Sequence, residues 1–594
     1  MAATGIPESI LKLARQRNAP LILELDLTDG LMETRPSDPL AALMSRHQPT
    51  VTDVLAGLKL ARDDERVRAL IVKVGGRPIG LGVVQELREA VRRLGEAGKP
   101  TYAWAETFGE FSAGNLPYYL ATAFETIFMQ PSGDLGLTGV ALERVFLRGA
   151  LDKLGITVDV GARHEYKSAA EQLTETGFSP ANREATKRMA ESVIEQLADA
   201  IAARTHSSRD DAMQLLTGGP YSAEQGLQTG LIDALGYRDE VYATVRKRVK
   251  ADEDTTLLYL GRYQRFKELR DRLRQLPAPK RQSAVALITA TGEIRRGRNG
   301  RGSPMGGGTA MGSDSITAML RTAAADPHIK AILLRVNSPG GSYVASDAIW
   351  REVVRARNAG KPVVVSMGNV AASGGYFISM SADAIVAQPG TITGSIGVVT
   401  AKPVLADAQA KIGVSTDSVV LGKHAGMFST AHSWSSEEWE LVDSWLDRIY
   451  ADFTGKVAAG RGLSAERVHE LARGRVWTGA DARESGLVDE LGGIEDAAAI
   501  ARSRAGLPDD APLVHYPRLG PLDRIRPAAN SEDRRAAAIA PAAPIVTSTA
   551  LTGLAATVGA SLFAESWGPV WEAAAQCGLP ATGPLLLPGS WTFQ

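Results

Sequence analysis

The sequence predicts an α/β protein built as two tandem copies of one domain. The chain contains itself twice. RALIVKVGG…VVQELREAVRRLGEAGKP, ending at Pro100, aligns without a gap on KAILLRVNSPGG…ASDAIWREVVRARNAGKP, ending at Pro362, at an offset of 262. YYLATAFETIFMQPSGDLGLTGV from Tyr118 then falls on YFISMSADAIVAQPGTITGSIGV from Tyr376 at 258, and YSAEQGLQTGLIDALG from Tyr221 on WTGADARESGLVDELG from Trp477 at 256. Three ordered matches make a repeat architecture. Within each copy, short β-branched runs such as Ala331 to Val336 alternate with helical patterns such as Asp347 to Ala356. That alternation implies crossover units and a largely parallel sheet with helices outside it.

Composition agrees. A chain of 594 residues is too long for one core, and 44% hydrophobic residues with 60 glycines describe a globular protein rich in turns. A formal charge of -1 leaves no surplus of basic residues for a phosphate backbone, so nucleic acid is not expected as a partner. The lone cysteine, Cys577, cannot form an intramolecular disulfide, and no Cys/His cluster has zinc-ligand spacing. No metal or cofactor is called for.

In chain order, residues 1–18 lack an apolar run long enough for a cleavable signal peptide. Residues 1–270 form the first copy. Residues 271–283, charged and proline-bearing, are the linker, and a fresh strand opens at Ala284. Residues 284–505 form the second copy, with a mobile loop expected over the Gly-rich Arg295 to Gly312. Residues 506–594 belong to neither copy. Within them Ile545 to Ala564 is long enough to cross a bilayer, but its Ser, Thr and Gly content makes it a poor span and favours a surface or oligomer-contact helix.

The chemistry lies where the copies differ. VNSPGGS, Val336 to Ser342, follows a strand and opens a helix, so Gly340 and Gly341 can turn backbone N–H groups toward a ligand. The first copy has Pro78 and Ile79 there, and proline has no N–H to give. In AASGGYF the second copy exposes Ser373 beside Gly374, whereas the first copy has Asn115. A serine needs a base. HEYKSAAE of the first copy supplies Lys167, which maps onto Ala425 in the second. One copy keeps the serine and the other the lysine, so a composite dyad is expected between the halves. Lysine serves as a base near neutral pH only in an enclosed, apolar pocket.

The repeat, the SPGGS and ASGGY segments, TGSIGV at Thr393 to Val398 and YKSA at Tyr166 resemble the long form of the signal peptide peptidase A (protease IV) family, peptidase family S49. The resemblance covers roughly residues 15 to 505. It implies two ClpP/crotonase-like domains and a serine endopeptidase with Ser373 as nucleophile and Lys167 as general base. The N–H of Gly374, with that of Gly341 or Gly340, would form the oxyanion hole, and Ser395 is a candidate for orienting the lysine. It further implies signal peptides and other hydrophobic peptides as substrates, a homo-oligomer (a tetramer), and association with the bacterial cell membrane. This chain departs from many members in having no N-terminal anchor segment in its sequence.

Other readings of the same residues stay open. Ser373 could be a small packing residue and Lys167 a solvated one, with Lys423 as a rival base. A Ser-His-Asp triad would have to draw on His424 or His432. A crotonase-like acyl-CoA enzyme would use the paired N–H groups and dispense with Ser373. A non-catalytic scaffold is the third alternative.

Overall fold

A computed structural model describes residues 19–35, 48–252, 254–274, 282–299, 310–517 and 585–586. The span considered at Ile545 to Ala564, Cys577 and most of the Gly-rich loop lie outside the described residues. Among those described, no helix is long and apolar enough to cross a membrane.

The chain divides into two compact units, residues 1–141 with 191–281, and residues 142–190 with 282–592. The first holds a six-stranded sheet in the order Ala234–Leu235, Thr126–Met129, Thr101–Ala105, Val67–Lys73, Leu21–Asp26, Thr256–Tyr259. Every pairing in it is parallel. The helices Val51–Arg62 and Leu81–Glu96 are crossovers between its strands. Ile22, Ile71, Trp104 and Phe128 pack with Val241 and Val245 in its core.

The second unit is built on a larger sheet, ordered Val476–Thr478, Ile392–Gly394, Val363–Ala372, Ile329–Ser338, Ala284–Thr291, Leu513–His515. The expected strand at Ala284 begins there. Along Ile329–Ser338 the side chains from Ala331 to Val336 are all buried. A parallel strand covered on both faces requires such a continuous run. The long strand Val363–Ala372 forks. Val364 to Ser366 pair with Ala384 to Val386, and Val370 to Ala372 pair with Ile392 to Gly394. Ser373 comes immediately after the fork.

The repeat is visible in the bonding of each unit. Tyr118 Oη donates to Leu231 O at 2.7 Å in the first, and Tyr376 Oη to Leu487 O at 2.9 Å in the second. Asp233 accepts from Ile127 N and Asp489 from Ile385 N. Lys99 Nζ donates to Asp64 O and Lys361 Nζ to Asp326 O.

Two boundaries differ from those expected. Leu142–Ala190, carried by the first repeat, belongs to the second compact unit. Its strand Thr157–Ala162 pairs antiparallel with Val399–Val404 from Ala162↔Val399 to Thr157↔Val404. The stretch after residue 506 is not wholly apart either. Leu513–His515 adds a parallel edge strand to Val285–Leu287, because backbone groups at a sheet edge need partners. The backbone of Leu585–Leu586 pairs antiparallel with Gly340–Gly341.

Candidate active site

Ser373 sits between the end of Val363–Ala372 and the short helix Gly374–Phe377. Its backbone, at φ 55° and ψ -115°, takes a conformation normally left to glycine. It is held there by its N–H, which donates to Gly394 O at 2.8 Å, and by its carbonyl, which accepts from Phe377 N. His164, Ser395 and Arg473 also have positive φ, at 65°, 51° and 55°. Such strain gathers where the surrounding fold enforces a functional geometry.

Lys167 and Ser373, 206 residues apart in sequence, meet: Lys167 Nζ donates to Ser373 Oγ at 3.0 Å. The same ammonium reaches Ser395 Oγ at 2.9 Å and Ser395 O at 3.0 Å. All three residues belong to the second compact unit, which takes Leu142–Ala190 from the first repeat, so a lysine of the first copy meets a serine of the second inside one unit. The reason is the transferred segment: paired through Thr157–Ala162, it carries Lys167 in beside the serine.

Ser373 and Ser395 are 0% exposed and Lys167 is 4% exposed. Among the described residues no carboxylate pairs with the lysine, so its acceptors are neutral oxygens and no opposite charge offsets the loss of hydration on burial. Burial alone brings its pKa down from 10.5 to about 7. An amine that is half neutral near pH 7, within hydrogen-bond reach of a hydroxyl, can take that hydroxyl's proton.

The two glycine segments converge beside it. A Cβ added to Gly374 would lie 3.1 Å from Gly340 Cα and 3.2 Å from Gly341 N, so the Gly374 and Gly341 backbones are neighbours. Of the Gly340 and Gly341 pair offered by the sequence, Gly340 is already engaged, because its N–H donates to Ser338 Oγ at 3.2 Å. Gly341 makes no such bond to Ser338, and both glycines share the backbone pairing with Leu585–Leu586.

The rivals lie apart from this cluster. Lys423 is 67% exposed at its side chain and pairs with Glu437 at 2.9 Å. His432 Nδ1 contacts Ser433 O at 3.1 Å, and among the described residues no histidine bonds to Ser373. Sequence reasoning gave Gly397 only as part of the TGSIGV repeat match and missed Gly474; both pack against the lysine. A Cβ on Gly397 would lie 3.2 Å from Lys167 Cδ, and one on Gly474 2.5 Å from Lys167 Cα. A signal did exist, since the repeat at Trp477, read three residues back at an offset of 256, places Gly474 on Gly218.

Known proteases resemble this chain over most of its length. The model of peptidase family S49 matches residues 93–252 and 355–508, and the Clp protease model matches residues 308–390. The chain is 32% identical to the chloroplastic serine protease SPPA of Arabidopsis thaliana over 446 residues, which cover 75% of this chain and 64% of that one. It is 32% identical to Protease 4 of Salmonella typhi over 465 residues, 77% of this chain and 72% of that one. With Protease 4 of Haemophilus influenzae it shares 31% identity over 496 residues, 80% of this chain and 77% of that one.

Proposed function

Because the chain belongs to peptidase family S49, and is by family a serine protease, we propose that it is an endopeptidase working through a Ser373–Lys167 dyad on hydrophobic peptides, released signal peptides among them. The observation that carries this reading is the buried 3.0 Å contact between Lys167 Nζ and Ser373 Oγ. Ser373 Oγ attacks the scissile carbonyl carbon while its proton passes to Lys167 Nζ. The peptide oxygen becomes an oxyanion facing the N–H groups of Gly374 and Gly341, each such donor being worth about 3 kcal/mol. The lysine then protonates the leaving amine. It next takes a proton from water as that water attacks the acyl-enzyme, and Ser373 is restored.

Substrate backbone has a place to lie. Gly340–Gly341 accepts an extended segment in antiparallel register, as its pairing with Leu585–Leu586 illustrates. Work at a membrane surface is supported by exposed apolar side chains of the second unit: Val419 at 93%, Leu421 at 88% and Phe428 at 69%.

A fluorophosphonate that esterifies activated serines tests the reading. Wild type should label on the tryptic peptide bearing Ser373 and Lys423→Ala should label equally, whereas Ser373→Ala should not label. Labelling at another serine would sink the assignment. Ser395→Ala removes one charge-assisted hydrogen bond from the lysine, so kcat/KM should fall about 10- to 100-fold. KM should change little, and steady-state kinetics on a hydrophobic peptide would show it.

A further inference from the structure

We propose that the turn Ala472–Arg475 is a clamp that positions Lys167 against Ser373 and Ser395, with Gly474 as its contact residue. This rests on the reading of Lys167 as the base. The turn is bonded to both arms of the site. On the lysine arm, Tyr166 N donates to Arg473 O at 3.1 Å. On the serine arm, Gly474 N donates to Ile396 O at 2.8 Å and Ser395 N to Arg475 O at 2.7 Å. One turn therefore fixes the backbone of Lys167 relative to that of Ser395, whose oxygens its ammonium must reach.

Gly474 makes that closeness possible. Its φ of +84° is costly for a residue with a Cβ, and a Cβ there would stand 2.5 Å from the N, Cα and Cβ of Lys167. Real atoms do not approach so closely, so any side chain at 474 must push the lysine backbone away. Gly397 packs directly on Gly474, since its own added Cβ would lie 2.8 Å from Gly474 Cα, and it also faces the lysine side chain, 3.2 Å from Lys167 Cδ. The lysine thus packs on two adjoining glycine backbones, its own backbone on Gly474 and its side chain beside Gly397, at a spacing that a Cβ would not allow.

The turn is itself braced. The guanidinium groups of Arg473 and Arg475 lie 5.3 Å and 5.0 Å from the ring of Tyr166, the residue before the lysine. Arg473 pairs with Glu165 at 3.0 Å, and Arg475 with Glu184 at 2.8 Å. Both glutamates are about half exposed, at 48% and 51%, so these charges are balanced toward solvent and not toward the ammonium. Arg473, at positive φ, is held by its N–H, which donates to Tyr450 Oη at 3.2 Å.

The test is the rate of fluorophosphonate labelling at Ser373 as a function of pH, for wild type, Gly474→Ala, Tyr166→Leu and Lys167→Met, with folding followed by circular dichroism. In Gly474→Ala the displaced amine is more hydrated, so the rate at neutral pH should fall about 100-fold and the midpoint of the profile should move up by about one pH unit or more. A general loosening of the fold would slow labelling at every pH and leave the midpoint in place, and that result would overturn the clamp. Labelling at the wild-type rate would do so too. If Gly474→Ala does not fold, Tyr166→Leu decides. It removes the brace without adding a clash, and should give a drop of about 10-fold with the same upward shift; an unmoved midpoint there overturns the proposal. Lys167→Met separates the two readings. If it labels as wild type does, the base assignment fails and the clamp with it. If it fails to label while Gly474→Ala is normal, the clamp alone is wrong.

Discussion

Ser373→Ala is expected to lower kcat/KM on a hydrophobic peptide by about 10⁴- to 10⁶-fold, the range seen when an activated serine is deleted from a peptidase. The change removes one oxygen from a site that is otherwise held by backbone. The Ser373 N–H bond to Gly394 O and the Phe377 N–H bond to Ser373 O do not use the side chain, so the turn should persist. Lys167 would keep Ser395 Oγ and Ser395 O as acceptors. The unfolding midpoint should therefore stay close to that of wild type while turnover disappears. A variant that keeps more than about 1% of wild-type kcat/KM would rule out Ser373 as the nucleophile.

Lys167→Met should abolish turnover to a similar degree and yet make the protein more stable. In the proposed dyad serine and lysine act as one unit, so the double variant should be no slower than either single one. The stability gain has a defined pH dependence. The folded protein releases the Lys167 proton near pH 7, whereas the unfolded chain holds it to about 10.5. Between those values the unfolded state binds more protons, so folding becomes more favourable as pH rises. Below pH 7 the fold must bury a full ammonium and carries the whole penalty. The advantage of Lys167→Met in unfolding midpoint should thus be largest at about pH 6 and smaller at about pH 9, a comparison that scanning fluorimetry makes directly. An equal gain at both would mean that the lysine is not buried in its charged form. The same titration predicts that wild-type kcat/KM rises with pH through a midpoint near 7, as the neutral base appears.

Much of this was legible before any coordinates. The repeat gave the parallel α/β architecture. The two residues of the proposed dyad stand out because each is missing from the opposite copy: Asn115 stands for Ser373 and Ala425 for Lys167. The position of the site inside one unit was not legible. TVDVGA at Thr157–Ala162 alternates as a strand should, but nothing local says that its partner is Val399–Val404. Pairing between segments so far apart is a tertiary event, and period-two patterning carries no address. That the Gly340 N–H is engaged by a side chain, Ser338, turning back onto it is likewise a tertiary detail that the glycine pair does not announce. Gly474 was hidden for another reason. Glycine usually marks a turn, and only the lysine backbone packed against it reveals a second use.

The transfer of Leu142–Ala190 into the second unit also governs when the enzyme can become dangerous to its own cell. The ribosome makes Lys167 first and Ser373 only 206 residues later. At roughly 5–20 residues per second that is a wait of about 10–40 s, during which the chain holds the proposed base without its serine. The turn at Ala472–Arg475 emerges later still. A chain truncated before Ser373, by stalled translation or a broken message, would lack the serine, and one truncated between Ser373 and the turn would lack the backbone proposed to seat the lysine. Nascent fragments of this protein should therefore be harmless to the proteins around them, and proteolytic competence should arrive only with the nearly finished chain.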